Sequence, residues 1–91
     1  MAFKYSKSTL GKLETLVKHL GYYLRYERGS FKPGYCVLQE KKVVVVNKFY
    51  SLESRINSLL ELIPELNQGT QKLDEKEKVL LESVMTQKSA S

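Results

Sequence analysis

The chain has 91 residues, 42% of them hydrophobic and 27% charged, with a formal net charge of +5. That is the size of one modest domain, whose core leaves little room for an enclosed active site. No continuous apolar run of the roughly eighteen residues a membrane helix needs is present, Met1 to Gly21 lacks a signal-peptide h-region, and the single cysteine, Cys36, cannot form an internal disulfide; the expectation is a cytoplasmic protein with no membrane partner.

The charge is uneven. Residues 1–50 carry ten Lys and Arg against three Glu, and residues 51–91 carry five basic against seven acidic side chains. A basic half of this kind suits an anion, a nucleic acid or an acidic protein, or serves only as a solvated surface.

In chain order, Leu10, Leu13, Leu16, Val17 and Leu20 recur at intervals of three and four, which predicts an amphipathic helix from about Ser8 to Leu20. Ser6 or Ser8 is placed to cap its start, and Gly21 to end it. From Tyr22 to Arg28 the period changes to two. Tyr22, Leu24 and Tyr26 alternate with Tyr23, Arg25 and Glu27, as in a strand with one buried face. Gly29 to Gly34 is a connection with glycine at both ends, and its Pro33-Gly34 pair favours a tight turn.

Tyr35 to Gln39 reads as a second strand and Lys42 to Lys48 as a third. The run Val43 to Val46 is apolar on both faces, which suits a central or doubly covered strand. A second helix starts near Ser51, with Leu52, Ile56, Leu59, Leu60 and Ile63 on one face, and Pro64 ends or kinks it. Glu65 to Lys72 reads as a polar linker. Asp74 and Glu77 have the spacing of a capping box, opening a third helix that runs to about Met85 with Leu80, Leu81 and Val84 inward.

The expected architecture is a single α+β domain over residues 1–91, in the order α-β-β-β-α-α. Short links argue for a three-stranded antiparallel meander packed against two amphipathic helices. The ordered core is expected at about 8–64, a peripheral third helix at about 74–86 and a frayed tail at 87–91. Two sheet edges would remain open to pairing, with the charged first strand protecting one of them.

Catalytic chemistry is hard to assemble from these residues. A zinc site needs about three protein ligands around an open position, and the chain offers one histidine, His19, and one cysteine, Cys36. His19 near a helix C-terminus suits the helix dipole, and a lone strand cysteine suits a small buried hydrophobe. Neither Gly-rich phosphate-loop pattern occurs. Glu40-Lys-Lys42 has the E-x-K form of some nucleases but flanks a turn, and no strand carries an Asp. No metal and no cofactor is expected.

The densest group of constrained residues runs from Arg25 to Cys36. Arg25 and Glu27, two apart, share a strand face, and can pair with each other or present Arg25 as an anion clamp. Phe31 sits at the loop, either tucked over the core or offered to a partner. The candidate binding residues are Arg25, Tyr26, Glu27, Phe31, Lys32, Cys36, Asn47 and Lys48.

The segment Arg25-Tyr-Glu-Arg-Gly-Ser-Phe-Lys-Pro-Gly-Tyr-Cys36, followed by the all-valine strand ending Val46-Asn47-Lys48, resembles small bacterial proteins of unknown function with an R-Y-E-x-G-x-F-x-x-G-x-C core. The resemblance spans roughly residues 10–65 and implies a bacterial cytoplasmic protein but no activity. The strand order and Ser51-Leu-Glu-Ser-Arg-Ile are also similar to zinc-peptidase-like proteins of bacterial stress and repressor-control systems. Those carry H-E-x-x-H on the next helix, whereas this chain reads Ser58-Leu-Leu-Glu-Leu-Ile-Pro64 there. That similarity implies the scaffold without its zinc.

Three functions follow as expectations. The first is a non-catalytic binding or interaction module with a protein partner or a second copy of itself. The second is single-stranded nucleic-acid binding by the basic, Tyr-rich sheet half. The third is a small hydrolase or thiol enzyme using Arg25, Glu27 and Cys36.

Overall fold

The computed structural model describes residues 4–28, 34–66 and 72–90. Helix α1, Lys7–His19, begins at Ser6, whose hydroxyl accepts the Thr9 N–H at 3.2 Å. It ends in a two-bond left-handed cap: Gly21 N–H reaches Lys18 O and Tyr22 N–H reaches Val17 O, with Gly21 at φ +98°. Its leucine stripe is buried, with Leu13, Leu16 and Val17 excluded from solvent.

Three strands follow: β1, Tyr23–Glu27; β2, Tyr35–Leu38; and β3, Val43–Asn47. They form one sheet in the order β1-β3-β2. β2 pairs antiparallel with β3, as a hairpin should, but β1 pairs parallel with β3, Tyr23 opposite Val43 and Glu27 opposite Asn47. The expected antiparallel meander is therefore corrected to a mixed sheet. Two physical reasons account for it. The valine run takes the middle position, hydrogen-bonded on both sides, while the strand with Arg25 and Glu27 takes an edge, where charges discourage further pairing. The link from Glu27 to Tyr35 is also long enough to span the roughly 10 Å between strands flanking a third. Only the β2–β3 connection is short; it closes with Lys42 N–H on Gln39 O and puts Lys42 at φ +53°.

Helix α2, Leu52–Leu62, is capped by the Ser51 hydroxyl on Ser54 N–H. Pro64 has no N–H to continue the α-helical ladder, and the chain tightens into a 3₁₀ turn over Ile63–Glu65. The polar linker expected from Glu65 is anchored at both ends, since Leu66 and Leu73 are buried; residues 67–71 lie outside the described residues. Helix α3, Glu75–Ala90, starts on the expected capping box. Glu77 N–H donates to Asp74 Oδ1 at 2.8 Å, and Asp74 N–H donates to Glu77 Oε1 at 3.3 Å. Val84 is 1% exposed, so this helix contributes to the core as well as to the surface.

The core gathers the stripes of α1 and α2, Val84 of α3, and one face of the sheet. That face consists of Val44 and Val46 with Leu24, Tyr26, Tyr35 and Val37 packed beside them. No helix among the described residues is long and apolar enough to cross a membrane.

Candidate functional site: an uncovered sheet face

Because side chains alternate along a strand, the register that turns Val44 and Val46 inward turns Val43 and Val45 outward. Across the sheet three rows form on this outer face. Tyr23, Val43 and Leu38 make the first row, Arg25, Val45 and Cys36 the second, and Glu27 and Asn47 the third. Tyr23 is 73% exposed and Leu38 42%, while Val43, Val45 and Cys36 are half-buried. The apolar core lies wholly on the opposite face, so among the described residues no helix covers this one.

Charge borders the face. Arg25 Nε lies 2.9 Å from Glu27 Oε2, an exposed pair on the β1 edge. Lys41 and Lys42 are exposed at the hairpin end. The carboxyl ends of β1 and β3, which run parallel, bring Arg28 and Lys48 close to Phe49, at 5.8 and 5.6 Å from its ring centre. Phe49 is 68% exposed. Five cations thus face two carboxylates, Glu27 and Glu40, around an apolar centre.

Of the residues singled out in the sequence, Arg25, Glu27, Cys36 and Asn47 share this outer face, with Lys48 at its carboxyl end. Asn47 shapes that end: its Oδ1 accepts Phe49 N–H at 2.9 Å and its own N–H donates to Gly34 O. Tyr26 belongs to the helix-covered face. Its hydroxyl donates to Glu14 Oε2, and the Arg55 guanidinium lies 4.6 Å from its ring centre. Burial, and then the neighbouring Glu14 carboxylate, hold the Tyr26 phenol well above its ordinary pKa. Phe31 and Lys32 lie outside the described residues.

Two features went unread in the sequence. Arg55 lies outside the apolar stripe of α2; its Nε donates to Tyr50 O at 3.1 Å and its Nη2 to Lys48 O at 2.7 Å, holding the turn that leads from β3 into α2. Gly34 was assigned to a turn. Its backbone does have φ +108°, but a Cβ there would also overlap the Tyr50 ring. No periodic pattern signals either contact: Arg55 reaches back across the turn to Tyr50 and Lys48, and Gly34 meets the Tyr50 ring only through the fold.

No family model, curated protein or solved structure matches this chain.

A catalytic assembly does not form from the residues considered for one. Arg25 and Cys36 sit on opposite sides of Val45, two strand spacings or about 10 Å apart along the backbone. Arg25 is engaged with Glu27. His19 is occupied at the far side of the molecule, its Nδ1 at 2.5 Å from Glu77 Oε2. Among the described residues no three His, Cys, Asp or Glu side chains are grouped to hold a metal ion.

A concavity of about 1060 Å³ opens between α1 and α3, walled by Gly11, Thr15, His19, Glu77, Leu80 and Ser83. Its charged rim mixes Lys12 and Lys76 with Asp74 and Glu75, so electrostatics select no ligand charge there.

Proposed function

We propose that this protein is a non-catalytic binding module that docks a protein partner on the outer face of its sheet. The supporting observation is that β3, paired on both edges, presents Val43 and Val45 to solvent beside Tyr23, Leu38 and Cys36. An exposed apolar patch with a charged border is the usual anatomy of an interaction surface. The expected covering layer comes from another molecule.

In-cell photo-crosslinking tests this. A photoreactive phenylalanine at Tyr23 or Leu38 gives a discrete higher-mass adduct, and one at Glu53, on the exposed side of α2, gives none. Equal adduct patterns from all positions, or none from Tyr23 and Leu38, overturn the proposal.

A second reading has one observation in its favour, the exposed Phe49 ring with Arg28 and Lys48 close to it. Stacking of a base on an aromatic ring flanked by cations is how single strands are held. Among the other aromatics Tyr23 is also exposed, whereas Tyr22 is buried with its hydroxyl on Gln39 and Tyr5 donates to Asn57. Oligothymidylate binding that falls steeply with salt and is lost in Phe49→Ala is the result this reading expects; no binding at low salt removes it.

A further inference from the structure

Resting on the docking reading above, we infer that the occupant of the outer sheet face is an amphipathic helix of a partner protein, with an apolar stripe flanked by carboxylates. Size and charge lead to this occupant together.

The face spans five residues along β1 and β3, about 17 Å, and three strands across, about 14 Å. An α-helix with its side chains is about 10–12 Å wide and rises about 1.5 Å per residue. Some three turns therefore fill the surface. That is the relation α1 and α2 already have to the opposite face, whose Val44 and Val46 differ from Val43 and Val45 only in being covered.

A second copy of the chain fits less well. Two such faces packed together would bring two cationic borders into contact. Arg25, Arg28, Lys41, Lys42 and Lys48 outnumber Glu27 and Glu40 around the face, and like-charge apposition disfavours association. Carboxylates beside the stripe of an incoming helix meet these cations instead. Glu27 leaves Arg25 within reach, since a pair at 63% and 44% side-chain exposure exchanges partners at little cost.

The experiment titrates the full chain with two synthetic helical peptides of about three turns sharing one leucine stripe, one flanked by Glu and the other by Lys. Backbone amide NMR reads the site. The Glu-flanked peptide is expected to shift Tyr23, Arg25, Cys36, Leu38, Val43 and Val45, and to bind at least about tenfold tighter than the Lys-flanked one, a margin that shrinks with added salt. Tyr23→Lys and Leu38→Lys, both at exposed positions, weaken it at least about tenfold without altering the far-ultraviolet circular dichroism.

Equal binding of the two peptides, shifts confined to the α1–α3 concavity, or no binding overturns the inference. So does a dimer in sedimentation that Tyr23→Lys dissociates, or oligothymidylate binding more tightly than the Glu-flanked peptide on the same residues. Adducts from Tyr23 in cells combined with failure of the Glu-flanked peptide refute the helix while leaving the docking face standing. Absence of both removes the docking face as well.

Discussion

Glu77 holds His19 with one carboxylate oxygen and caps its own helix with the other: Oε2 lies 2.5 Å from His19 Nδ1, while Oε1 accepts the Asp74 N–H. One side chain thereby closes the first turn of α3 and ties it to the last turn of α1. Glu77→Ala removes both contacts and is expected to cost about 1–2 kcal/mol in urea unfolding. His19→Ala, a half-exposed partner, is expected to cost less than about 1 kcal/mol. Hydrogen exchange in the first turn of α3 should speed up more in the first variant than in the second. The reverse order would place the stabilisation in the inter-helix contact and not in the cap.

Gly34 carries two constraints at once, a positive φ and the Tyr50 ring lying where a Cβ would project. Gly34→Ala is expected to destabilise by about 2–4 kcal/mol, since backbone strain and overpacking add. Gly34→Ala combined with Tyr50→Ala should recover part of that loss if the overlap matters. A double variant no better than the sum of the singles would leave the backbone alone responsible.

Lys42 occupies the left-handed region at φ +53° in the β2–β3 turn. Glycine accepts that conformation without a Cβ penalty, so Lys42→Gly is expected to raise stability by up to about 1 kcal/mol. The chemical-denaturation midpoint measures it. A fall in the midpoint would mean that the lysine side chain makes a stabilising contact worth more than the strain.

Two phenols resist ionisation in the fold. Tyr26 is held high by burial and by Glu14, and Tyr35 is pushed up to about 12 by burial and then by the charges of Glu61 and Glu65. Folded-state values above the unfolded value of about 10 mean that the folded chain keeps protons the unfolded chain releases. Stability is therefore fully present below about pH 10 and declines as pH rises from there through the folded values. Urea unfolding between about pH 8 and 11.5 should show this decline, and Tyr26→Phe with Tyr35→Phe should flatten it. An unchanged slope in the double variant would assign the alkaline loss to other groups.

Arg55→Lys keeps the charge but loses the fork that reaches both Lys48 O and Tyr50 O. It is expected to cost about 1–2 kcal/mol and to broaden the amide signals of Lys48 to Tyr50. Sharp, unshifted signals there would show that the turn holds itself.

The helices were legible because their signals are local. Ser6, Gly21, Ser51, Pro64, and Asp74 with Glu77 each act within a few residues, and the leucine stripes need only the period of the helix. The alternation in Tyr22 to Glu27 likewise separated covered Tyr26 from exposed Arg25, and it placed Arg25 and Glu27 side by side. The bond from Tyr26 to Glu14, the clamp of Arg55 and the seat of Tyr50 on Gly34 were not legible as contacts. Each depends on residues more than a turn apart along the chain.

Strand character, helix boundaries and the identity of the apolar residues thus follow from the order of amino acids alone, since propensity and period are properties of neighbours. Which strand lies in the middle belongs to the tertiary structure. A strand's partners are chosen by competition among whole segments for burial and for hydrogen bonds at both edges. Only that choice, with β3 between β1 and β2, sets Tyr23, Val43, Leu38, Val45 and Cys36 together on one face, which no helix among the described residues covers.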